Sequence, residues 1–70
     1  MVNPGDVVTC IDVSPCKGIP PRLTLGKQYT ILNVYPVGSS RWLKYDDYEV
    51  VNDLGYIYPY FAYRFGEING

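Results

Sequence analysis

Seventy residues make one domain at most, and folding a chain of this size buries only ~60% of its surface, so the core has to be dense. Six basic residues face seven acidic ones, for a net charge of −1, which argues against non-specific nucleic-acid binding, since that needs several Lys or Arg to displace counterions. Histidine is missing altogether, so a Ser–His or Cys–His nucleophile cannot be built within one chain.

The pattern is that of short strands separated by turn residues, which predicts an all-β fold with one domain over residues 1–70, a core spanning 5–67 and short flexible termini. "GDVVTCIDV" (residues 5–13) is the first predicted strand, with apolar residues in both alternating sets. "SPCKGIPPR" (residues 14–22) holds three prolines and one glycine and reads as a loop ordered by its prolines. A turn at Gly26-Lys27 leads into the best strand of the chain, residues 28–35, where Tyr29, Ile31 and Asn33 point one way and Leu32 and Val34 the other. Residues 38–41 make a hairpin-like connection. Residues 42–47 alternate weakly, and Asp46-Asp47 reads as a break or bulge before a strand at 48–51. Asn52-Asp53-Leu54-Gly55 supplies the next turn, with Gly55 able to take positive φ. "YIYPY" (residues 56–60) follows as a strand that must end at Pro59 or lie at an edge, because proline has no amide hydrogen. Residues 59–63 read as a 3₁₀ turn, and 64–67 as the closing strand.

Residue order sharpens this outline. The chain carries Gly5-Asp6-x-Val8-x-Cys10, then Leu23-x-x-Gly26-Lys27-x-Tyr29-x-Ile31, then Val51-Asn52-Asp53-x-Gly55, then Tyr60 and Arg64-Phe65. This order resembles the small SH3-like barrel proteins of tailed bacteriophages, a mostly uncharacterised group. The resemblance spans residues 5–65 and implies a five-stranded SH3-like barrel with a 3₁₀ turn before the last strand. It also implies a core of Val8, Cys10, Leu23, Tyr29, Ile31 and Phe65, a tight turn at Gly26 and a hairpin closed by Gly55. Fold does not imply function.

Chemistry is sparse. The carboxylates fall mostly at turns and strand ends, where Asp serves local hydrogen bonds, and no enzyme activity is expected. Cys10 and Cys16, five residues apart, cannot complete a four-ligand zinc site without histidine. They could bridge through a bend at Pro15, but a cytoplasmic location would keep them reduced. The opening residues lack a charged and an apolar region of a signal peptide, and no apolar run approaches the ~20 residues of a membrane span. No cofactor is expected. Lys17, Arg22 and Lys27 read as a solvated loop rather than a basic patch.

Aromatic recognition is what remains. Eight tyrosines, two phenylalanines and one tryptophan are present. Loop 14–22 has no aromatic residue, which disfavours a groove for proline-rich peptides. Tyr56, Tyr58 and Tyr60 share one strand face, either exposed or packed in part under segment 42–48, and the second arrangement is preferred here. The expected contact patch is Trp42, Tyr45, Tyr48, Tyr56, Tyr58 and Tyr60, with Arg41 and Arg64 as polar anchors. The expected partner is a host or phage protein. A homo-oligomer that binds a nucleotide-like ligand, and a weak nucleic-acid binder, are the alternatives.

Overall fold

A computed structural model describes residues 2–38 and 45–69. The fold is all-β: β1 (Val7–Cys10), β2 (Gln28–Thr30), β3 (Asn33–Tyr35), β4 (Asp47–Val51), β5 (Ile57–Phe61), a 3₁₀ turn (Ala62–Arg64) and β6 (Phe65–Asn69). The strands form two three-stranded antiparallel sheets, ordered β2-β1-β6 and β3-β4-β5. Neither sheet closes on itself. Among the described residues no helix is long and apolar enough to cross a membrane.

Six strands replace the expected five because residues 28–35 change partner midway. Ile31 donates to Asp6 O at 2.8 Å and its carbonyl accepts from Gly5 N at 2.7 Å, on the β1 side. The next amide, Leu32, donates instead to Glu49 O at 2.7 Å in β4. Side-chain alternation slips at this switch, as at a bulge. Tyr29 and Ile31 are buried, but Val34 packs against the core while Asn33 stays exposed. Asn33 therefore does not share the face of Tyr29 and Ile31 as expected, and Val34 takes the core side in its place.

The core consists of Val8, Cys10, Leu23, Tyr29, Ile31, Val50, Tyr60 and Phe65. Phe65 sits at its centre. Tyr29 and Tyr60 meet it edge-on at 6.2 and 6.4 Å between ring centroids, and Tyr48 stacks on it at 6.0 Å. Such pairs add about 0.5–1.5 kcal/mol each beyond the area they bury. Cys10 is buried and Cys16 exposed, and both thiols are free; burial pushes the Cys10 thiol up.

Two turns behave as their glycines require. Gly26 has φ 83° and Gly55 φ 85°, both in the left-handed region where a Cβ is penalised. The Asn52 side chain shapes the second turn by accepting from the Leu54 and Tyr56 amides, each at 3.0 Å.

β5 runs through Pro59 at the edge of its sheet. The pairs Asn52/Tyr56 and Asp46/Ala62 carry ladder hydrogen bonds at either end. Antiparallel alternation then puts Glu49/Pro59 at a non-hydrogen-bonded position. The missing amide hydrogen costs the ladder nothing, so the strand continues and the 3₁₀ turn starts at Ala62 rather than at Pro59.

Candidate functional site

The connection between β1 and β2 is built as a small hairpin. Asp12 Oδ1 accepts from Ser14 N at 2.8 Å, turning the chain out of the sheet. Cys16 and Ile19 exchange two backbone hydrogen bonds of 2.9 Å. Between them, Lys17 (φ 51°) and Gly18 (φ 80°) both take positive φ, the geometry of a type I′ turn. Prolines follow at 20 and 21, and Arg22 again has positive φ at 61°. Pro15, Pro20 and Pro21 thus flank a turn whose own hydrogen bonds set its shape.

Two buried side chains fasten this hairpin to the body. Arg64, only 5% exposed, donates from Nη1 to the carbonyls of Asp12 (3.2 Å) and Ser14 (2.9 Å). The Asp12 carboxylate lies 3.8 Å from the same nitrogen. The amide of Ser14 holds that carboxyl below the usual range, with a smaller contribution from Arg64. At the other end, the Tyr60 hydroxyl donates to Pro21 O at 2.5 Å and accepts from Asn52 Nδ2 at 3.2 Å. Burial raises the Tyr60 phenol above its ordinary value, so the hydroxyl keeps its proton for this bond.

Held at both ends, the hairpin stands off β5 and leaves a groove of about 400 Å³. Ile19, Pro20 and Pro21 line its hairpin side. Tyr58, Pro59 and Phe61 line its strand side. Asp47, Asn52, Tyr60 and Arg64 are buried residues that also reach it, while Lys17 and Arg22 are exposed at its rim.

The expected contact patch divides. Tyr56 is 67% exposed and Tyr58 48%; their expected packing under segment 42–48 falls in part on residues 42–44, which lie outside the described residues. Tyr60, 7% exposed, belongs to the core rather than the surface, although its ring lies 5.1 Å from that of Tyr58. The two share a strand face, and the difference comes from position along it: Tyr60 lies over Phe65, Tyr58 at the open end. Tyr48 is half-buried against Phe65. Arg64 is buried rather than on the open surface, because the loop carbonyls of Asp12 and Ser14 draw its guanidinium inward to the groove lining. Arg41 and Trp42 lie outside the described residues.

Tyr45 is exposed and joins a cluster that the sequence pattern did not mark. Its ring lies 5.3 Å from Phe61 and 5.1 Å from Tyr63, and Phe61 stacks on Tyr63 at 5.4 Å. The Arg64 guanidinium sits 5.7 Å from the Tyr63 ring centre. Phe61 connects this cluster to the groove, since it lines both.

Asp53, whose amide donates to Arg22 O at 2.9 Å, collects three donors on its carboxylate: Thr24 Oγ1 (2.6 Å), Tyr29 OH (2.7 Å) and Lys27 Nζ (3.0 Å). These bonds, led by that of Thr24, hold its carboxyl down to about 2. Lys27 is thereby committed to the hairpin turn of β4–β5 and contributes nothing to the groove. Compared with known proteins, the chain matches no protein-family model, no curated protein and no solved structure.

Proposed function

We propose that this protein is a non-enzymatic binding module, a bacteriophage accessory protein of the SH3-like barrel kind that occupies a surface of a host factor or defence component in the bacterial cytoplasm. The barrel reading is supported by element order. A strand and a long loop precede a strand that changes sheets; two further strands, a 3₁₀ turn and a last strand paired with the first complete it.

One observation carries the binding reading: a rigidly fastened groove has an exposed tyrosine on its wall and a three-ring cluster beside it. Tyrosine supplies large contact area at little entropic cost and is enriched among interface hot spots. The hydroxyls of Tyr29 and Tyr60 are spent inside the fold, so the contact set narrows to Tyr45, Tyr58, Phe61 and Tyr63, with Tyr56 beyond them.

Quantitative capture from bacterial lysate on immobilised wild-type and Tyr58→Ala protein tests this. The reading expects at least one protein retained by the wild type and lost by the variant at equal folded content. Equal retention by both, or retention of nothing by folded wild type, contradicts it.

A further inference from the structure

Charge is distributed unevenly around the groove. Of six basic residues in the chain, three line it: Lys17, Arg22 and Arg64. Of seven acidic residues, only Asp47 does among those described. The Asp12 carboxylate beside Arg64 offsets part of this charge, and the exposed cations Lys17 and Arg22 keep the rim positive in a chain of net charge −1. Concave, partly apolar surroundings concentrate such a field.

Arg64 adds direction to that field. Both of its hydrogen bonds to the hairpin leave from Nη1. Among the described residues no acceptor engages Nε or Nη2, and the residue is nine-tenths buried at the groove. A guanidinium that lines a cavity, is fixed by one nitrogen and has donors left over is pre-organised for a carboxylate.

The shape of the groove selects the rest of the occupant. It follows four consecutive β5 residues, Tyr58 to Phe61, a length of ~13 Å at the usual strand rise. Its walls are proline, isoleucine and aromatic rings. Pro59 offers no amide at the middle of that edge, so an added β-strand, including the same strand of a second copy, cannot complete a ladder there. An extended segment read through its side chains fits.

We infer that the groove between the Lys17–Gly18 hairpin and β5 binds an acidic, extended peptide segment of a partner protein, in which carboxylates meet Lys17, Arg22 and the remaining donors of Arg64 while intervening apolar side chains lie between Ile19 and Tyr58. This deepens the binding reading above and rests on it.

The test is a ¹⁵N–¹H NMR titration at low salt with three probes: acetyl-Glu-Leu-Glu-Leu-Glu-Leu-amide, its counterpart with Gln for every Glu, and AMP. The acidic peptide is expected to shift the amides of Lys17, Arg22 and Tyr58 and the Arg64 Nε signal. It should bind at least about tenfold more tightly than the Gln peptide. Replacing both exposed rim cations, Lys17→Glu with Arg22→Glu, should remove that preference while the rest of the spectrum stays folded. Equal binding of both peptides overturns the acidic specificity and leaves a protein-binding groove standing. Tighter binding of AMP at the same signals overturns it in favour of a phosphate ligand. No groove shift with any probe also overturns it, and the Tyr58-dependent capture then decides whether the broader reading falls too.

Discussion

Tyr29 and Tyr60 on one hand, Tyr56 and Tyr58 on the other, are the same residue type put to opposite uses. The buried pair contact Phe65 with their rings and commit their hydroxyls to distant backbone and side chains: Tyr29 to Asp53 and to the Thr24 amide, Tyr60 to Pro21 and Asn52. Each therefore fills the core and pins a loop at once, which suits a chain with little interior to spare. Of the exposed pair, Tyr58 sits at the open end of β5 and Tyr56 just before it, where the sheet has outrun the core. In this fold a phenol that fastens a loop belongs to stability, and a ring beyond the core's edge keeps much of its surface in solvent.

Substitutions can break this division, beginning with the most damaging. Tyr60→Ala removes a core ring and the Pro21 tie, and should destabilise the protein by about 3–5 kcal/mol in chemical denaturation. Tyr29→Phe keeps the ring but strips Asp53 and the Thr24 amide of a partner. A loss of about 1–3 kcal/mol is expected, and an unchanged denaturation midpoint would mean the hydroxyl is not a fastener.

A smaller effect concerns acid. Asp53 is held at about 2, below its ordinary 3.8. Its contribution is fully present above 3.8 and is lost as pH falls through about 2, because protonation breaks bonds made only in the folded state. Melting temperatures across that window should fall less steeply for Asp53→Asn than for wild type; parallel curves would refute the assignment. Smallest of all, Tyr56→Ala and Tyr58→Ala should shift stability by about 0.5 kcal/mol or less. A loss of several kcal/mol at Tyr58 would move it into the core.

Much of the interior was legible in the sequence. Val8, Cys10, Leu23, Tyr29, Ile31 and Phe65 are all buried, as the resemblance implied; alternation alone left the inner face of the first strand open, since both of its sets carry apolar residues. Val50 and Tyr60 join them unforeseen, since both strand faces near them carry large apolar residues. The partner switch leaves one local mark, the adjacent apolar pair Ile31-Leu32 that interrupts the alternation of residues 28–31, but such a pair does not by itself tell a change of sheet from a strand with two apolar faces. The groove was hidden for a different reason. Residues 16–22 and 58–64 meet only through tertiary ties, including one from Arg64 to Ser14 across fifty positions. A cation in a short sequence reads as a surface group until the carbonyls that surround it are known. Lys17 and Arg22 read as a solvated loop for the same reason, because their common groove exists only once the hairpin is fastened.

Tyrosine nitration mapped by mass spectrometry, with and without the acidic Glu-Leu peptide, tests the division and the groove together. Nitration requires an accessible phenol that can ionise, and burial raises the phenols of Tyr29 and Tyr60. The account predicts ready modification of Tyr56 and Tyr58, resistance of Tyr29 and Tyr60 in the folded protein, and protection of Tyr58 but not Tyr56 by the peptide. Nitration of Tyr60 as fast as Tyr58, or peptide binding that leaves Tyr58 unprotected, would contradict it.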